Sequence, residues 1–476
     1  MYKVTIGLEI HAELNTNTKC FSPALNTTNS SFNTAVHYVD LGFPGILPRL
    51  NKEAYFKALK TSIALNCDVP EILMFDRKNY YYPDLPKGYQ ITQFNKPIGL
   101  NGYINIIVDN KVKKITLQDI HLEEDTANLV HYSDCSLINY NRCGIPLIEI
   151  VTNPVMSSKE EAIIFLEELR KLLLYIEVSD AKLELGQMRV DVNISLSKDD
   201  TLGSKVEIKN INSFSNVGHA INYEILRQSR MLDRGMNIIQ ETRRFNDTTG
   251  ETISLREKVE GVDYKYYVEP NIPKIRIDKS YIEYVKSSIG VLPSERFEIY
   301  TNNYKLSILE ANILLKNKGV SDYFDKVCTY SKNYKLIYNI ITGKLLEYTN
   351  ELNVDIKDIY LTEQELSKII KLLESNTISN KQAKDIIDLI LNEKKSVEII
   401  MKENNIELVN DNTKILDLVR EVINDNIEVA KTYDPNRPRI VGFFIGVLMK
   451  RTKGSVDAKK ADTLVREELQ KVIDNM

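Results

Sequence analysis

Hydrophobic and polar positions follow two different periods along the chain, and the change comes near residue 290. Before that point, short runs of β-branched residues are separated by turns rich in glycine and proline, which is typical of strands. The clearest of these runs are residues 4–6, 104–108, 148–151 and 190–194. Helical periodicity is found instead in residues 52–64, 158–175 and 217–232. This part of the chain is therefore predicted to be α+β, with a mainly antiparallel sheet.

After residue 292 the period becomes helical, and glycine and proline become rare. Apolar positions recur at helical spacing in residues 306–316, 336–346, 363–373, 380–391 and 397–403. The last segment is also helical, but it contains a stretch rich in glycine and phenylalanine among basic residues, at 438–450. We predict three domains: an α+β domain over residues 1–292, an all-helical domain over 293–405 and a small helical tail domain over 406–476.

Composition and charge narrow the class of protein. The 476 residues are 43% hydrophobic and 27% charged, which excludes a mainly disordered or fibrous chain. The formal net charge is −4, so any contact with nucleic acid must come from a local basic patch. We find no secretory signal and no apolar run of the roughly 18 residues that a membrane span needs. A soluble, cytoplasmic protein with no membrane partner is expected.

The cysteines and the common sequence motifs exclude several further classes. The five cysteines are scattered and form no C-x-x-C pair, so neither a zinc knuckle nor a disulfide framework is expected. The chain contains no G-x-x-x-x-G-K-[ST], G-x-G-x-x-G, H-E-x-x-H or G-x-S-x-G motif. These absences argue against a P-loop NTPase, a Rossmann dehydrogenase, a zincin and an α/β-hydrolase.

Polar residues interrupt the predicted strands at a spacing that puts them on one face. Glu9 and His11 are two residues apart, so on a strand they point to the same side. A carboxylate and an imidazole on one face suit a divalent metal or an acid–base pair. Residues 121–125 add a histidine and three acids, which repel each other unless a cation, hydrogen-bond donors or solvent compensates. The alternatives are a solvated strand face for the first pair and an exposed acidic turn for the second group.

Two later strands carry the same alternation. Arg189, Asp191 and Asn193 share one face of a predicted strand. Glu207 and Lys209 share one face of the next strand. If these strands bury their valine and isoleucine side chains, the charged residues line the opposite face. That face is either solvated or a platform for phosphate and metal, since magnesium prefers carboxylate oxygens and often bridges them to phosphates.

Two segments combine basic residues with features of nucleic-acid binding. Residues 76–90 contain three basic and four tyrosine side chains, and tyrosine rings stack on bases while cations hold phosphates. Residues 431–460 contain eight lysines and arginines against two aspartates. The first segment could equally be a structured loop with packed tyrosines. The second could end a helix with cations, which the helix dipole favours.

Several of these segments follow one another in the order that is typical of one family. They are residues 6–14, 76–80 with 82–91, 121–125, 141–142 with 146–151, 189–195, 207–214, and 442–450 with 452–454. On these motifs the chain resembles the GatB family, the B subunits of the aspartyl/glutamyl-tRNA amidotransferase, over essentially its whole length. The resemblance implies a cradle-like α+β catalytic domain, a helical domain and a tail domain that contacts tRNA.

The resemblance also implies the reaction and its participants. With ATP and Mg²⁺, a GatB-type chain would convert the side-chain carboxylate of misacylated Glu-tRNA(Gln) or Asp-tRNA(Asn) into an acyl phosphate. Ammonia, released from glutamine by an amidase subunit, would then displace the phosphate, and a small third subunit would complete a heterotrimer. The enzyme would be a carbon–nitrogen ligase with glutamine as amido donor, a glutamine-hydrolysing glutaminyl-tRNA synthase. Whether Gln-tRNA, Asn-tRNA or both are made stays open.

Carried onto this chain, the resemblance gives roles to individual residues. The expected metal ligands are Glu9, His11, Glu124, Asp191 and Glu207, with Glu123 and Glu149 in reserve. The expected nucleotide contacts are Arg189, Asn193 and Lys209. The expected catalytic residues are Glu9, His11, Glu124, Lys87, Tyr89 and Gln90, of which the last three would orient the aminoacyl end or the ammonia. The expected tRNA contacts are Lys450, Arg451 and Lys453.

The chain departs from the family at several positions. Many members hold a structural zinc with two cysteine pairs after the first strand, but here only Cys20 remains, so no structural zinc is expected. Four residues stand where acids are usual, and we expect them at the rim of the sheet: Asn139, Asn153, Val155 and Leu185. A tRNA-binding or assembly module without kinase activity therefore stays open as a second hypothesis.

Overall fold

The computed structural model describes residues 2–109, 111–211, 213–257, 265–375, 377–404, 412–434, 439–452, 456 and 458–474. It divides into two compact units, Met1–Pro293 and Ser294–Met476. The first unit combines strands with a few helices and the second is built from helices. The predicted α+β class with a helical C-terminal region is thus confirmed, whereas the division into three domains stays a prediction.

The strands all belong to the first unit within the described residues. They are β1 (Lys3–Glu13), β2 (Ile72–Leu73), β3 (Asp76–Asn79), β4 (Tyr89–Thr92), β5 (Gly99–Leu100), β6 (Tyr103–Val108), β7 (Lys111–Glu124), β8 (Asn128–His131), β9 (Ser136–Asn139), β10 (Pro146–Thr152), β11 (Met188–Ser197), β12 (Val206–Ile211), β13 (Glu241–Asn246), β14 (Glu251–Glu257), β15 (Tyr267–Val268) and β16 (Ile275–Arg276).

Nine of these strands form the main sheet. Its order is β14-β13-β12-β11-β1-β10-β7-β5, and β6 also pairs with β7. The pairs are antiparallel except for β12 with β13, which are parallel. Smaller sheets are formed by β15-β3-β4, by β16-β2 and by β8-β9. The mainly antiparallel sheet predicted from the sequence is therefore confirmed.

Strict alternation in β1 sets the two faces of the main sheet. Ile6, Leu8 and Ile10 are at most 1% exposed and join the core of the first unit. Successive side chains of a strand point to opposite faces, so Glu9 and His11 lie on the face away from these residues. The same alternation in β10 and β11 buries isoleucines and valines on one face and leaves charged side chains on the other.

Helices cover the apolar face of the sheet. In the first unit they are α1 (Lys52–Ala64), α2 (Lys159–Tyr175), α3 (Phe214–Asp233) and α4 (Lys279–Ser287). Each of the first three begins at a polar side chain that accepts hydrogen bonds from free backbone N–H groups: Asn51, Ser158 and Ser213. The buried side of α2 includes Phe165 and Leu169, which pack into the same core as the strands.

The second unit consists of short helices. They are α5 (Pro293–Glu298), α6 (Ile308–Leu315), α7 (Lys318–Cys328), α8 (Tyr334–Ile340), α9 (Leu346–Leu352), α10 (Glu363–Glu374), α11 (Asn380–Glu393), α12 (Val397–Asn404), α13 (Asn412–Asp425), α14 (Ile427–Ala430), α15 (Arg439–Arg451) and α16 (Ala458–Asp474). The last four share a core of their own that includes Val419, Phe444 and Val465. None of the helices in the described ranges combines the length and apolarity that crossing a membrane requires.

Candidate active site

Charged side chains meet on the open face of the main sheet because the strand register aligns them. His11 on β1 lies opposite Glu149 on β10 and opposite Arg189 on β11. Glu9 lies opposite Asp191 on β11, and Glu149 in turn lies opposite His121 on β7. Residues far apart in the sequence are thereby brought into one row across four strands.

The residues of this row other than His121 line a cleft of about 370 Å³. Its lining residues come from the main sheet, from the loops beside it and from the hairpin of β3 and β4: Glu9, His11, Lys78, Tyr80, Gln90, Glu123, Asp125, Thr126, Leu147, Glu149, Arg189, Val190, Asp191, Lys209 and Ile211. The cleft is thus walled by both signs of charge, with carboxylates and cations on adjacent strands.

The imidazole of His11 lies at the centre of a group of carboxylates. Its Nε2 atom lies 3.9 Å from Glu9 Oε1, 3.7 Å from Glu123 Oε1 and 3.9 Å from Glu149 Oε1. One ligand atom each from Glu9, His11 and Glu149 lies within 4.8 Å of the other two. Carboxylate oxygens with one imidazole nitrogen are a donor set that suits a hard divalent cation. These residues could therefore hold a metal ion without large movement.

His121 fixes Glu149 from its other side. The Nδ1 atom of His121 lies 3.5 Å from Glu149 Oε2, and its Nε2 atom lies 3.3 Å from Asp119 Oδ1. Asp119 is only 8% exposed and accepts a hydrogen bond from Gln118 through its other oxygen. Carboxylate–histidine pairs of this kind orient the ligands around metal sites.

Burial and crowding change the pKa values of these acids. Burial, together with the nearby Glu149 and Asp191 carboxylates, raises the pKa of Glu9 to about 7. Burial and Glu149 also raise the pKa of Glu123. Burial acts in the same direction on Glu149, but the hydrogen bond from His121 and the charge of His11 prevail and lower the pKa of Glu149. The group therefore gains from a cation that neutralises it.

Two cations lie beside this group. Lys209 Nζ lies 2.6 Å from Asp191 Oδ2 and 3.1 Å from Glu207 Oε1. Arg189 donates a 2.8 Å hydrogen bond to Asp125 Oδ2. Burial alone would lower the pKa of Lys209, but Asp191 and Glu207 offset it and the pKa is raised. Both cations keep their charge and are held in place by carboxylates.

Lys87 and Glu124 form a buried ion pair behind the cleft. Glu124 lies next to Glu123 on β7 and so points to the opposite face of the strand. Its carboxylate accepts hydrogen bonds from Lys87 and from the backbone N–H of Ile91. Both side chains are nearly inaccessible, at 4% and 3%. Gly42 packs against the lysine, and a Cβ at this position would lie 2.9 Å from Lys87 Cγ.

The remaining predicted residues are spread around this frame. Gln90 lines the cleft and donates a 2.8 Å hydrogen bond to the backbone oxygen of Glu124. The ring of Tyr89 lies under the guanidinium of Arg77, at 4.2 Å, on the other face of the hairpin. Glu207 accepts a 2.9 Å hydrogen bond from Thr242. Asn193 pairs with Gly7 and Glu207 in the sheet, and its buried Oδ1 atom has no hydrogen-bond partner among the residues that the structure describes.

The structure thus brings most of the predicted site together and separates a part of it. The predicted residues that line the cleft are Glu9, His11, Gln90, Arg189, Asp191 and Lys209, with the reserve acids Glu123 and Glu149. Five residues predicted for this site do not line it: Lys87, Tyr89, Glu124, Asn193 and Glu207. Their functional roles stay predictions.

Sequence reasoning gave no individual role to five residues at this site: Lys78, Tyr80, Asp119, His121 and Asp125. Lys78 and Tyr80 belong to the segment 76–90, whose basic and tyrosine residues indicated binding of an anionic ligand. The pattern did not indicate which of these residues would reach the site. Asp119 and His121 precede Glu123 at intervals of two, which on a strand places all three on one face.

The four positions at which this chain lacks an acid that is usual in the family lie outside the cleft lining. Asn139 accepts hydrogen bonds from the backbone N–H groups of Asn33 and Asn141. Asn153 donates a 3.0 Å hydrogen bond to Thr116 Oγ1. Val155 and Leu185 are 37% and 65% exposed.

The predicted tRNA contacts lie at the end of α15. Lys450 is exposed. Arg451 lies 3.2 Å from Glu421 and 2.7 Å from Asp425, both on α13. Lys453 lies outside the described residues. The two described cations therefore differ, because only one of them is tied to a neighbouring helix by these ion pairs.

Known proteins share this sequence along its length. Residues 4–283 match the GatB/GatE catalytic domain family, and residues 322–469 match the GatB domain family. A protein from Persephonella marina, named as the B subunit of an aspartyl/glutamyl-tRNA(Asn/Gln) amidotransferase, is 41% identical over 98% of this chain and 100% of its own length. Proteins of the same name from Bacillus cereus (strain B4264) and Mesoplasma florum are 41% and 40% identical, each over 98% of both chains.

Proposed function

The chain belongs to the GatB family, and we propose that it acts as the B subunit of a tRNA-dependent amidotransferase, where its cleft activates the side-chain carboxylate of Glu-tRNA(Gln) or Asp-tRNA(Asn). The observation that carries this proposal is the row of Glu9, His11 and Glu149 beside Lys209 and Arg189. Both substrates of the activation step, ATP and a carboxylate, are anions. A site for them needs cations fixed at defined positions. Lys209 and Arg189 are such cations, and the acids and the histidine of the row would hold a metal ion beside them.

The chemistry explains why such a site is needed. A carboxylate resists attack by ammonia because its oxygen is a poor leaving group. A carboxylate oxygen therefore attacks the γ-phosphorus of ATP, ADP leaves, and an acyl phosphate results. Ammonia then forms the carbon–nitrogen bond at the acyl carbon while inorganic phosphate leaves. Phosphoryl transfer of this kind depends mainly on positioning and on neutralisation of charge.

The donor set around His11 fits Mg²⁺. Glu9, His11 and Glu149 would hold the ion, with Glu123 as a further ligand, and the bound ion would neutralise phosphate oxygens. This assignment makes Glu149 and Glu123, which the sequence analysis held in reserve, proposed metal ligands. Glu124 and Glu207 are less suited, since the first is paired with Lys87 and the second accepts a hydrogen bond from Thr242.

The cations have separate tasks in this proposal. Lys209 and Arg189 are anchored by Asp191 and Asp125, so they present charge at fixed positions to phosphate oxygens. Such preorganised charges stabilise a transferring phosphoryl group more than mobile ones do. Gln90 connects the cleft to the Lys87–Glu124 pair through its hydrogen bond to Glu124. We assign to Gln90, Lys87 and Tyr89 the role of orienting ammonia or the aminoacyl end of the tRNA.

The partners follow from the role within the enzyme. The chain has no glycine- and serine-rich segment with a Ser-Ser-Lys amidase constellation, so ammonia would be released from glutamine by a separate amidase subunit, with a small third subunit completing a heterotrimer. The tail, residues 406–476, would contact the tRNA body. Cytoplasmic localisation, the three domains and the absence of a structural zinc stay predictions.

A reconstituted reaction tests this function. The chain is combined with the amidase and small subunits, and conversion of Glu-tRNA(Gln) is measured with ATP, Mg²⁺ and glutamine. The His11→Ala variant should lose conversion and acyl-phosphate formation, whereas glutamine hydrolysis by the partner persists. His131→Ala is the matched control, since His131 is exposed and its ring bonds Ser136. A wild-type complex that binds tRNA but makes no amide would favour the assembly module instead.

A further inference from the structure

A second ion pair is buried in the first unit, and the proposed reaction does not use it. Lys19 is inaccessible to solvent and Asp40 is only 2% exposed. Lys19 Nζ lies 3.3 Å from Asp40 Oδ2 and donates a 3.5 Å hydrogen bond to the backbone oxygen of Tyr140. Taking two charges out of water costs free energy that their attraction offsets only in part. Stability alone is therefore a weak reason for such a pair.

Asp40 anchors a turn formed by residues 37–43, the Gly42 turn. Its Oδ2 atom accepts a 2.9 Å hydrogen bond from the backbone N–H of His37. The backbone N–H of Phe43 donates to the backbone oxygen of Tyr38, at 3.1 Å, and closes the turn. The rings of Tyr38 and Phe43 are 59% and 49% exposed. The turn is thus held to the protein from its inner side, where Asp40 is buried.

The turn places the backbone of Gly42 against the side chain of Lys87. Gly42 has a φ of +68°, which residues with a side chain rarely adopt, and a Cβ added there would lie 2.9 Å from Lys87 Cγ and 3.3 Å from Lys87 Cα. Contacts of a Cβ below 3.0 Å essentially do not occur. The far end of the lysine is paired with Glu124. The stem of Lys87 is therefore confined between the turn and its carboxylate partner.

Cys143 connects the two ion pairs. It is 2% exposed, and its Sγ atom donates a 3.6 Å hydrogen bond to the backbone oxygen of Asp40. Burial raises the pKa of this thiol, and the charges of both ion pairs act on that pKa. The next residue, Gly144, is also tightly packed, since a Cβ added there would lie 2.7 Å from Asp40 Oδ1. Both pairs thus belong to one close-packed region, in which a displacement is transmitted to neighbouring groups.

We propose that Gly42 is a positioning residue for Lys87: the buried Lys19–Asp40 pair holds the Gly42 turn in place, and the turn confines the lysine to its ion pair with Glu124. The inference rests on the proposed function, in which Lys87 helps to orient ammonia or the aminoacyl end of the tRNA. Gly42 and the ion pair that anchors it act through the lysine rather than on a substrate.

A displaced Lys87 would disturb the step in which the amide forms. Lys87 Nζ lies 5.4 Å from the ring centre of Tyr89, and Gln90 donates a hydrogen bond to the backbone of Glu124, the partner of the lysine. All three residues to which we assign the orienting role are thereby connected. If ammonia and the acyl carbon are misaligned, water attacks the acyl phosphate instead and gives back the carboxylate and inorganic phosphate. ATP is then consumed without amide.

The amide formed per ADP released, measured on the assembled complex with Glu-tRNA(Gln), ATP, Mg²⁺ and glutamine, tests the proposal. Gly42→Ala forces a Cβ onto the stem of Lys87, and we expect the ratio to fall at least about threefold, because a small misplacement of an orienting group slows a reaction greatly. Unfolded molecules make neither product, so a loss of folded protein alone leaves the ratio unchanged.

Gly45→Ala is the matched control. Gly45 follows two residues after the turn and has a φ of +82°, so alanine is strained there as well, but its Cβ would meet no atom within 4 Å. This variant should keep the wild-type ratio. Lys19→Met combined with Asp40→Ala removes both charges, so that no unpaired charge stays buried, and it releases the turn. Its ratio should fall as in Gly42→Ala.

The outcomes separate the positioning role from the proposed function. A wild-type ratio in Gly42→Ala overturns the role of Gly42, and so does an equal fall in Gly45→Ala, which strain in the loop would explain. A wild-type ratio in the double variant overturns the part assigned to the Lys19–Asp40 pair. Each of these results leaves the proposed function standing, whereas a wild-type complex that makes no amide overturns both.

Discussion

The Nδ1 atom of His121 lies 3.5 Å from the Oε2 atom of Glu149. The other oxygen of the same carboxylate faces His11, at 3.9 Å. Glu149 is therefore held between two imidazoles, one of which belongs to the candidate metal site. His121 itself does not line the cleft, so we regard it as a positioning residue.

Loss of His121 should weaken metal binding without removing a ligand. We expect His121→Ala to raise the Kd for Mn²⁺, measured by electron paramagnetic resonance, about tenfold, as loss of an outer-shell partner does. His121→Asn keeps a donor near the position of Nδ1 and should recover part of the affinity. His131→Ala serves as the control. Equal Mn²⁺ affinity in wild type and His121→Ala would show that Glu149 needs no such partner.

Glu9 makes the stability of the metal-free protein depend on pH. Its pKa is raised from 4.5 to about 7 in the folded state. Between these values the folded chain keeps a proton that the unfolded chain has lost, so the contribution is stabilising at low pH and is lost as pH rises to 7. We expect the unfolding temperature in EDTA to fall between about pH 5 and pH 8. The corresponding loss in the free energy of unfolding is on the order of 2 kcal/mol.

Two comparisons check that reading of Glu9. Glu9→Gln is neutral at all these pH values, so its unfolding temperature should fall less over the same range. Mg²⁺ should stabilise the wild type at high pH more than the variant, because the variant lacks one of the carboxylate ligands. Parallel pH profiles for both proteins would contradict the assignment.

A metal titration should distinguish the roles of Glu124 and Glu149. Glu124 is paired with Lys87 on the face of β7 away from the cleft, whereas Glu149 lies in the cleft lining. We therefore expect Glu149→Gln to raise the Kd for Mn²⁺ more than tenfold and Glu124→Gln to change it less than twofold. A large loss of affinity in Glu124→Gln would return this residue to the metal ligands, as the sequence predicted.

The two described cations at the end of α15 should differ in their effect on tRNA. Lys450→Ala should raise the KM for Glu-tRNA(Gln) and reduce its dependence on salt, because one phosphate contact is lost. Arg451→Ala should mainly lower the unfolding temperature of the tail, since it removes the ion pairs to Glu421 and Asp425. Deletion of residues 406–476 should raise KM strongly yet leave slow turnover at high tRNA concentration. Unchanged KM in all three would exclude a tRNA contact here.

The alternation of polar and apolar residues predicted much of the fold and of the site. It placed Glu9 and His11 on one face, and the structure has them there. Helices were found close to their predicted bounds because their apolar positions repeat at 3.6 residues, as in α1 (Lys52–Ala64) and α10 (Glu363–Glu374). Such patterns lie within one strand or one helix, so the local sequence alone is enough to predict them.

Which strands lie side by side could not be predicted from those patterns. The approach of Glu149 to His11 depends on the pairing of β10 with β1, a relationship between residues far apart in the sequence. Lys78 reaches the cleft from a small separate sheet, and no local pattern indicates where that sheet lies. Glu124 is the opposite case, because adjacent residues of a strand point to different faces. The local sequence therefore held the information that separates Glu124 from Glu123, although the prediction of Glu124 as a metal ligand did not use it.

The row of charges across β7, β10, β1 and β11 also constrains the order of events during synthesis. His11 leaves the ribosome early, but its neighbours Glu149 and Arg189 follow well over one hundred residues later. Until β11 has been made, the first strand lacks a partner on one edge, and its exposed backbone is open to pairing with other chains. Contacts of such high sequence separation fold slowly. A metal site that needs Glu149 cannot form before β10 has been made, and a nascent chain stalled before β11 would leave one edge of the first strand open to aggregation.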